Sequence, residues 1–277
     1  MVFLDRIQTI DRRIMYLLLV LVIVFPMFVQ FKLPMATTPE VRGVYAAVED
    51  IKPGQIAVLS GDWGAGTIAE SQPQTEAMMR HLFRRNIPFA ILPFAPQTTT
   101  LMQQSAERIA KQENKKYGDD WVNWGWRAVP MMVLYKGMGK DIPGTIKEDY
   151  RGKPLAQFKA MRGIARLKDV GFMAHITPVG NIGILIAFVH EAYGVPVAYA
   201  PTAVMVAQGY DPLDAHQLVG MLPGMVGAAQ YENLLRSPAN GIRWSNSLSF
   251  SEILMILLIA LANIGYFASR VQRGDRA

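Results

Sequence analysis

The chain has 277 residues, 51% of them hydrophobic and 18% charged, with a formal net charge of +6 and no cysteine. This length allows one large domain or two small ones. The lack of cysteine excludes disulfides and thiol catalysis without reporting a compartment. Apolar character is concentrated in two runs near the ends.

Residues 1–13 form a basic flank. Ile14 to Phe31 (IMYLLLVLVIVFPMFVQF) then carries no charge, and its length reaches the lower limit of the roughly 20 apolar residues that cross a bilayer core of about 30 Å. A cleaved signal peptide is the rival reading. The run is long for a signal core and no small-x-small cleavage site follows Phe31, so it reads as an uncleaved anchor. A second run, Phe250 to Phe267 (FSEILMILLIALANIGYF), precedes a basic tail at 268–277; its rival is a buried core helix. Arg6, Arg12 and Arg13 precede the first run, and Lys32 and Arg42 follow it. Arg236 and Arg243 precede the second, and Arg270, Arg273 and Arg276 follow it. Lys and Arg gather on the cytoplasmic side, so both termini are expected there, with residues 32–248 outside the cytoplasm of a cell membrane.

Between the runs, helices and short apolar strands alternate. Thr38-Pro39-Glu40 starts a helix that ends at Lys52-Pro53-Gly54. Gln55–Leu59 reads as a strand, Ser71-x-x-Gln74 resembles a capping box, and Met78, Met79, Leu82 and Phe83 stripe the next helix. Phe89–Phe94 is the next strand and Thr98–Lys116 the next helix. Further on come a strand at Val170–Ile176, a helix at Asn181–Tyr193 stopped by Gly194, and a strand at Val195–Ala200. Asp211-Pro212-Leu213-Asp214 opens a helix continuing to about Arg236, divided or kinked by Pro223. The expected fold is α/β: a Rossmann-like three-layer domain with a mainly parallel sheet, flanked by one transmembrane helix at each end.

Ligands of open α/β sheets bind beyond the carboxyl ends of strands, which directs attention to Ser60–Gly66. Its glycines run Gly-x-x-Gly-x-Gly, not Gly-x-Gly-x-x-Gly, and Thr67 stands where a phosphate loop needs lysine, so no nucleotide cofactor is indicated. The alternative is a glycine turn that lets strand and helix pack closely. Tyr117–Trp126 holds three tryptophans beside two carboxylates, either a binding surface or a plug for the core. Asp62, Glu70, Asp119, Asp120 and Asn123 are the candidate ligand-binding residues, and their carboxylates would suit a hard cation only weakly, without EF-hand spacing. His81 and His216 read as surface residues and His175 as a core residue. His190-Glu191 lacks a second zinc-motif histidine, and no catalytic constellation is recognised. Gly220, Gly224 and Gly227 would clear a groove along one helix. With the intramembrane Asn263 they suggest assembly. The basic stretches Arg80–Arg85 and Arg108–Lys116 suit anionic headgroups better than nucleic acid.

The Asp11-Arg12-Arg13 run, the Tyr117–Asp120 block, the glycine-rich Gln217–Glu232 stretch and Gly265-Tyr266 together resemble an uncharacterised prokaryotic family of membrane-anchored Rossmann-like proteins. That resemblance implies an architecture and no activity. The expectation is a scaffold or accessory subunit that assembles with itself or with other integral membrane proteins. The alternative is a tethered ligand-binding or hydrolytic domain using the Ser60–Glu70 loop and Asp119–Trp126.

Overall fold

Strands buried on both faces need apolar, β-branched sequence without alternation, and four stretches of this chain satisfy that. In the computed structural model, which describes residues 11–29 and 34–274, they are β1 (Ile56–Gly61), β2 (Phe89–Pro93), β4 (Val170–Thr177) and β5 (Val197–Pro201), buried along their whole length. Two shorter strands, β3 (Trp121–Asn123) and β6 (Gly220–Met221), complete a six-stranded sheet in the order β3-β2-β1-β4-β5-β6. Every pairing is parallel. The connections run outward from β1 in one direction and from β4 in the other, the Rossmann-like arrangement.

Two apolar cores lie on the two faces of this sheet, making three layers. One core gathers Ile56, Val58, Leu92 and Met173 with Leu134, Tyr135, Met138, Leu185 and Val189. These last five come from helix α5 (Met131–Lys140) and the helical segment α6 (Ile182–Tyr193). α6 widens to a π-turn at Ile186–His190 and ends at Gly194, whose φ of +69° is the left-handed stop expected there. The other core joins Ala57, Leu59, Ile91 and Ala174 to α2 (Pro39–Glu49), α3 (Ile68–Arg84), α4 (Pro96–Gln112) and Tyr231 of α8 (Gly224–Leu234).

Three local expectations are corrected. Ser71 is not a cap. It lies inside α3, and Gln74 instead donates from Nε2 to the carbonyls of Pro201 (2.8 Å) and Leu222 (2.8 Å), tying α3 to the ends of β5 and β6. Asp211–Asp214 ends a helix, α7 (Ala207–Asp214), and does not open one. The stretch from 211 to 236 is therefore not one helix: His216 turns with φ +56°, β6 pairs with β5, and α8 starts only at Gly224. Hence Gly220, in β6, shares no helical face with Gly224 and Gly227 of α8. A Cβ at Gly220 would meet the Glu40 carbonyl oxygen at 2.4 Å, and Gly224 needs its φ of +53°. Both glycines serve packing within the domain, because sheet pairing at the edge outweighs the helical spacing.

The chain separates into Met35–Ile242 and a unit made of Met1–Pro34 and Arg243–Ala277. In the second unit, α1 (Arg12–Phe28) is capped by Asp11, which accepts from the Arg13 amide, and exposes Leu17, Leu21 and Phe28. Its 17 residues span about 26 Å, short of a core of about 30 Å. Helix α9 (Asn240–Gly274) contains Asn240–Phe267, the only segment among the described residues long and apolar enough to cross a membrane. Only 6% of its most apolar window is buried, unlike a core helix, which is mostly buried. Arg6, Gln30, Phe31, Lys32 and Arg276 lie outside the described residues, as do the side chains of Arg270 and Arg273. At the start of α9, the buried Glu232 carboxylate accepts from the amides of Ala239 (2.9 Å), Gly241 (2.8 Å) and Ile242 (2.9 Å).

Candidate functional site

The sheet changes direction between β1 and β4, and loops leaving their carboxyl ends diverge to opposite faces. A crevice there is where open α/β sheets bind ligands. Register places Ser60 beside His175 and His175 beside Tyr199, so the three side chains form one row across three strands. The Ser60 hydroxyl lies 2.9 Å from His175 Nδ1 and 3.1 Å from the Ala174 carbonyl oxygen. On the other side of the ring, His175 Nε2 is 2.9 Å from Asn181 Oδ1, and Asn181 Nδ2 donates to Asp62 Oδ2 at 2.7 Å. An ionised carboxylate only accepts, so Asp62 fixes the amide of Asn181 with its oxygen toward the imidazole. The proton of His175 is thereby assigned to Nε2, leaving Nδ1 to accept from Ser60. Burial, the largest influence, lowers the basicity of His175; the Asp62 charge and the Asn181 bond oppose it. The imidazole is held neutral.

Three buried polar atoms beside this relay have no hydrogen-bond partner: Asp62 Oδ1, the Tyr135 hydroxyl and the Tyr199 hydroxyl. Each such atom costs roughly 1–3 kcal/mol, so their gathering in one place needs a reason. Burial pushes the Tyr135 hydroxyl above its ordinary range. The Ser60 hydroxyl, near but outside hydrogen-bonding geometry, opposes that shift and the Asp62 charge adds to it. Tyr199 is pushed up to about 12 by burial and by Asp62. Phe94 closes the apolar side, with its ring centroid 5.7 Å from Tyr135 and 6.2 Å from His175.

The five residues singled out from sequence do not converge. Asp62 follows β1 and joins the His175 relay through Asn181. Glu70 accepts from the Ala203 amide at 2.7 Å, bracing the chain after β5. Asp119 and Asp120 precede β3, at the opposite edge of the sheet. From the register Ala57–Phe89–Trp121, Asp120 is about 20 Å from Asp62 along the strands. Asp120 accepts from the Lys116 amide and pairs with Lys115 at 3.6 Å. Asn123 is buried and organises backbone: Nδ2 donates to the Thr99 carbonyl and Oδ1 accepts from the Gly125 amide. Among the described residues no group of three potential metal ligands occurs. Trp121 and Trp124 plug the core, while Trp126 is 40% exposed and borders a groove of about 330 Å³ with Arg127, Glu148 and Tyr150.

His175, Asn181, Tyr135 and Tyr199 were not among the candidates. The signal available for His175 was its place at the carboxyl end of a strand, level with Ser60. His81, expected at the surface, is buried: its Nδ1 lies 2.7 Å from the Tyr231 hydroxyl and its Nε2 2.8 Å from Glu49. In the basic stretches four arginines pair with carboxylates within the domain, while Lys111 and Lys116 stay exposed. Arg80 and Arg84 pair with Glu113, Arg85 with Glu49, and Arg108 with Glu76. Asn263 is exposed on α9 and donates to the Ile259 carbonyl of its own helix at 2.8 Å. Comparison with protein-family models, with curated proteins and with solved structures finds no match.

Proposed function

We propose that this chain is a membrane-anchored domain that binds a small polar ligand in the crevice between β1 and β4. The observation carrying this reading is the convergence there of the unpaired Asp62 Oδ1, Tyr135 hydroxyl and Tyr199 hydroxyl. Other buried polar atoms of the domain also lack a protein partner, but these two hydroxyls share the charge of Asp62, so one ligand could satisfy all three. A carboxylate oxygen only accepts, so the ligand presents a donor, an amine or a hydroxyl, and the tyrosines read its other polar atoms. Ser60 on a neutral imidazole has the local geometry of an activated nucleophile. Its complete burial favours binding over acyl transfer.

The anchors in this reading are the two terminal helices, with both termini cytoplasmic and the central domain outside. The exposed apolar side chains of α1 support a membrane role for it. The scaffold reading retains one supporting observation, an exposed amide at Asn263 within an apolar helix. A mass measurement of the detergent-solubilised chain tests it, and a monomer free of partners removes it.

The ligand reading is tested by thermal shift on the full chain in mild detergent against a panel of small amines and polyols. A compound at 100 times its Kd stabilises by about 2.7 kcal/mol. Stabilisation of the native chain that vanishes in Asp62→Asn and Tyr135→Phe supports the crevice. Shifts that survive both substitutions, or no shift with any compound, remove it.

A further inference from the structure

Within residues 35–242 the exposed large apolar side chains are not scattered. Four lie directly after β3: Trp126, Val129, Met132 and Val133, exposed by 40, 40, 43 and 52%. The others follow the remaining outgoing strand ends: Val179 after β4, Val204 and Tyr210 after β5, and Val226 at the start of α8 after β6. All therefore belong to the segments leaving the carboxyl edge of a parallel sheet. The amino edge carries Lys52, Arg85, Lys116 and Lys168 instead and exposes no large apolar side chain among the described residues. Single exposed apolar residues are ordinary, but their segregation to one edge marks an interaction surface.

The identity of the partner follows from charge and from the rest of the chain. Between Trp121 and Lys140 every charged residue is basic: Arg127, Lys136 and Lys140. Among the described residues, neither Arg127 nor Lys136 pairs with a carboxylate. Arg127 donates to the carbonyls of Ile146 (3.1 Å) and Glu148, and Lys136 lies over the Phe188 ring at 5.1 Å. Trp, Met and Val beside unpaired Arg and Lys make the composition of a bilayer interface, apolar groups in the acyl boundary and cations at headgroup level. The same chain carries Asn240–Phe267, long and apolar enough to span a membrane, and a helix in that role would bring this domain to a lipid surface.

We propose that the carboxyl edge of the sheet rests on an anionic bilayer, with Met132, Val133 and Val204 entering the headgroup and acyl boundary. This goes beyond the ligand reading and does not depend on it. The edge can meet lipid whether or not the crevice binds anything.

The chain has no cysteine, so a nitroxide can be attached at one position in the full-length protein. Met132→Cys and Val204→Cys report the carboxyl edge, and the exposed Lys168→Cys reports the amino edge. Each labelled protein is reconstituted in vesicles of phosphatidylcholine, with and without phosphatidylglycerol. Oxygen and a water-soluble nickel chelate then compete to relax the label. Labels at 132 and 204 are expected to favour oxygen, at a depth of about 5–10 Å, and to sink deeper with phosphatidylglycerol, while the label at 168 favours nickel. Labels at 132 and 204 that match the one at 168 in both lipids overturn the proposal. So does dipolar broadening between identical labels, which would assign the edge to a second copy of the chain. Equal depth in the two lipids overturns the anionic assignment. A ligand screen without hits leaves these readings unchanged, so the two proposals fail separately.

Discussion

Two histidines are buried in this domain, and they differ in how their hydrogen bonds end. His81 is enclosed: Tyr231 and Glu49 meet its two ring nitrogens, and Tyr45 stacks on the ring at a centroid distance of 4.4 Å. His175 belongs to an open network, in which bonds pass from Ser60 through the ring and Asn181 to a carboxylate with one oxygen unpaired. A satisfied polar network rigidifies a core, and an unsatisfied one is costly unless something completes it. Burial alone, which both rings share, therefore does not separate a structural histidine from one beside a ligand.

The largest expected effect comes from breaking the closed network. His81→Ala leaves the Tyr231 hydroxyl without its 2.7 Å partner and opens a void at a site 1% exposed. A loss of about 2–4 kcal/mol in denaturant unfolding is expected, with unchanged ligand response. The pH profile comes next. Burial lowers the basicity of both histidines, against the bond and charge of Glu49 in one case and the Asp62 charge in the other. Below the ordinary value of 6.5, the unfolded chain takes up protons that the folded state resists. Stability therefore falls as pH drops through that value, by about 1.4 kcal/mol per unit for each histidine. His81→Ala should remove about half of this slope. Glu232 acts oppositely: burial raises it above 4.5, so its contribution is present below that value and lost as pH rises through its folded pKa.

Smaller effects probe the open network. Tyr135→Phe removes an unpaired hydroxyl and is expected to stabilise the ligand-free chain by about 1 kcal/mol, while abolishing ligand-induced shifts. A loss of stability instead would mean that the hydroxyl already has a partner. Asp62→Asn is the mildest, at about 1 kcal/mol or less, because the new amide still offers an oxygen to Asn181. Its signature is a lost thermal shift with a nearly native melting curve.

The alternation of strands and helices was legible because β1, β2, β4 and β5 are apolar runs bounded by turn residues. β3 and β6 were not, since three and two paired residues carry no readable period and Trp121–Asn123 read as part of an aromatic block, either a binding surface or a plug for the core. Asp211-Pro212 has the chemistry of a helix start, yet the chain uses it in the last turn of α7 before crossing to β6. Within the crevice, Asp62 was legible from its place after a strand. Tyr135 and Tyr199 were not: Tyr199 sits in an apolar strand and Tyr135 in a stretch without a readable pattern, until folding brings both to Asp62. Asn181 lies 119 positions from the carboxylate it meets, and local spacing cannot encode such a pair.

Glu232 grips the chain just as it leaves the domain, accepting from the amides of Ala239, Gly241 and Ile242. The clasp therefore fixes where the helix starts, because its first amides have no acceptor within the helix and Glu232 supplies one.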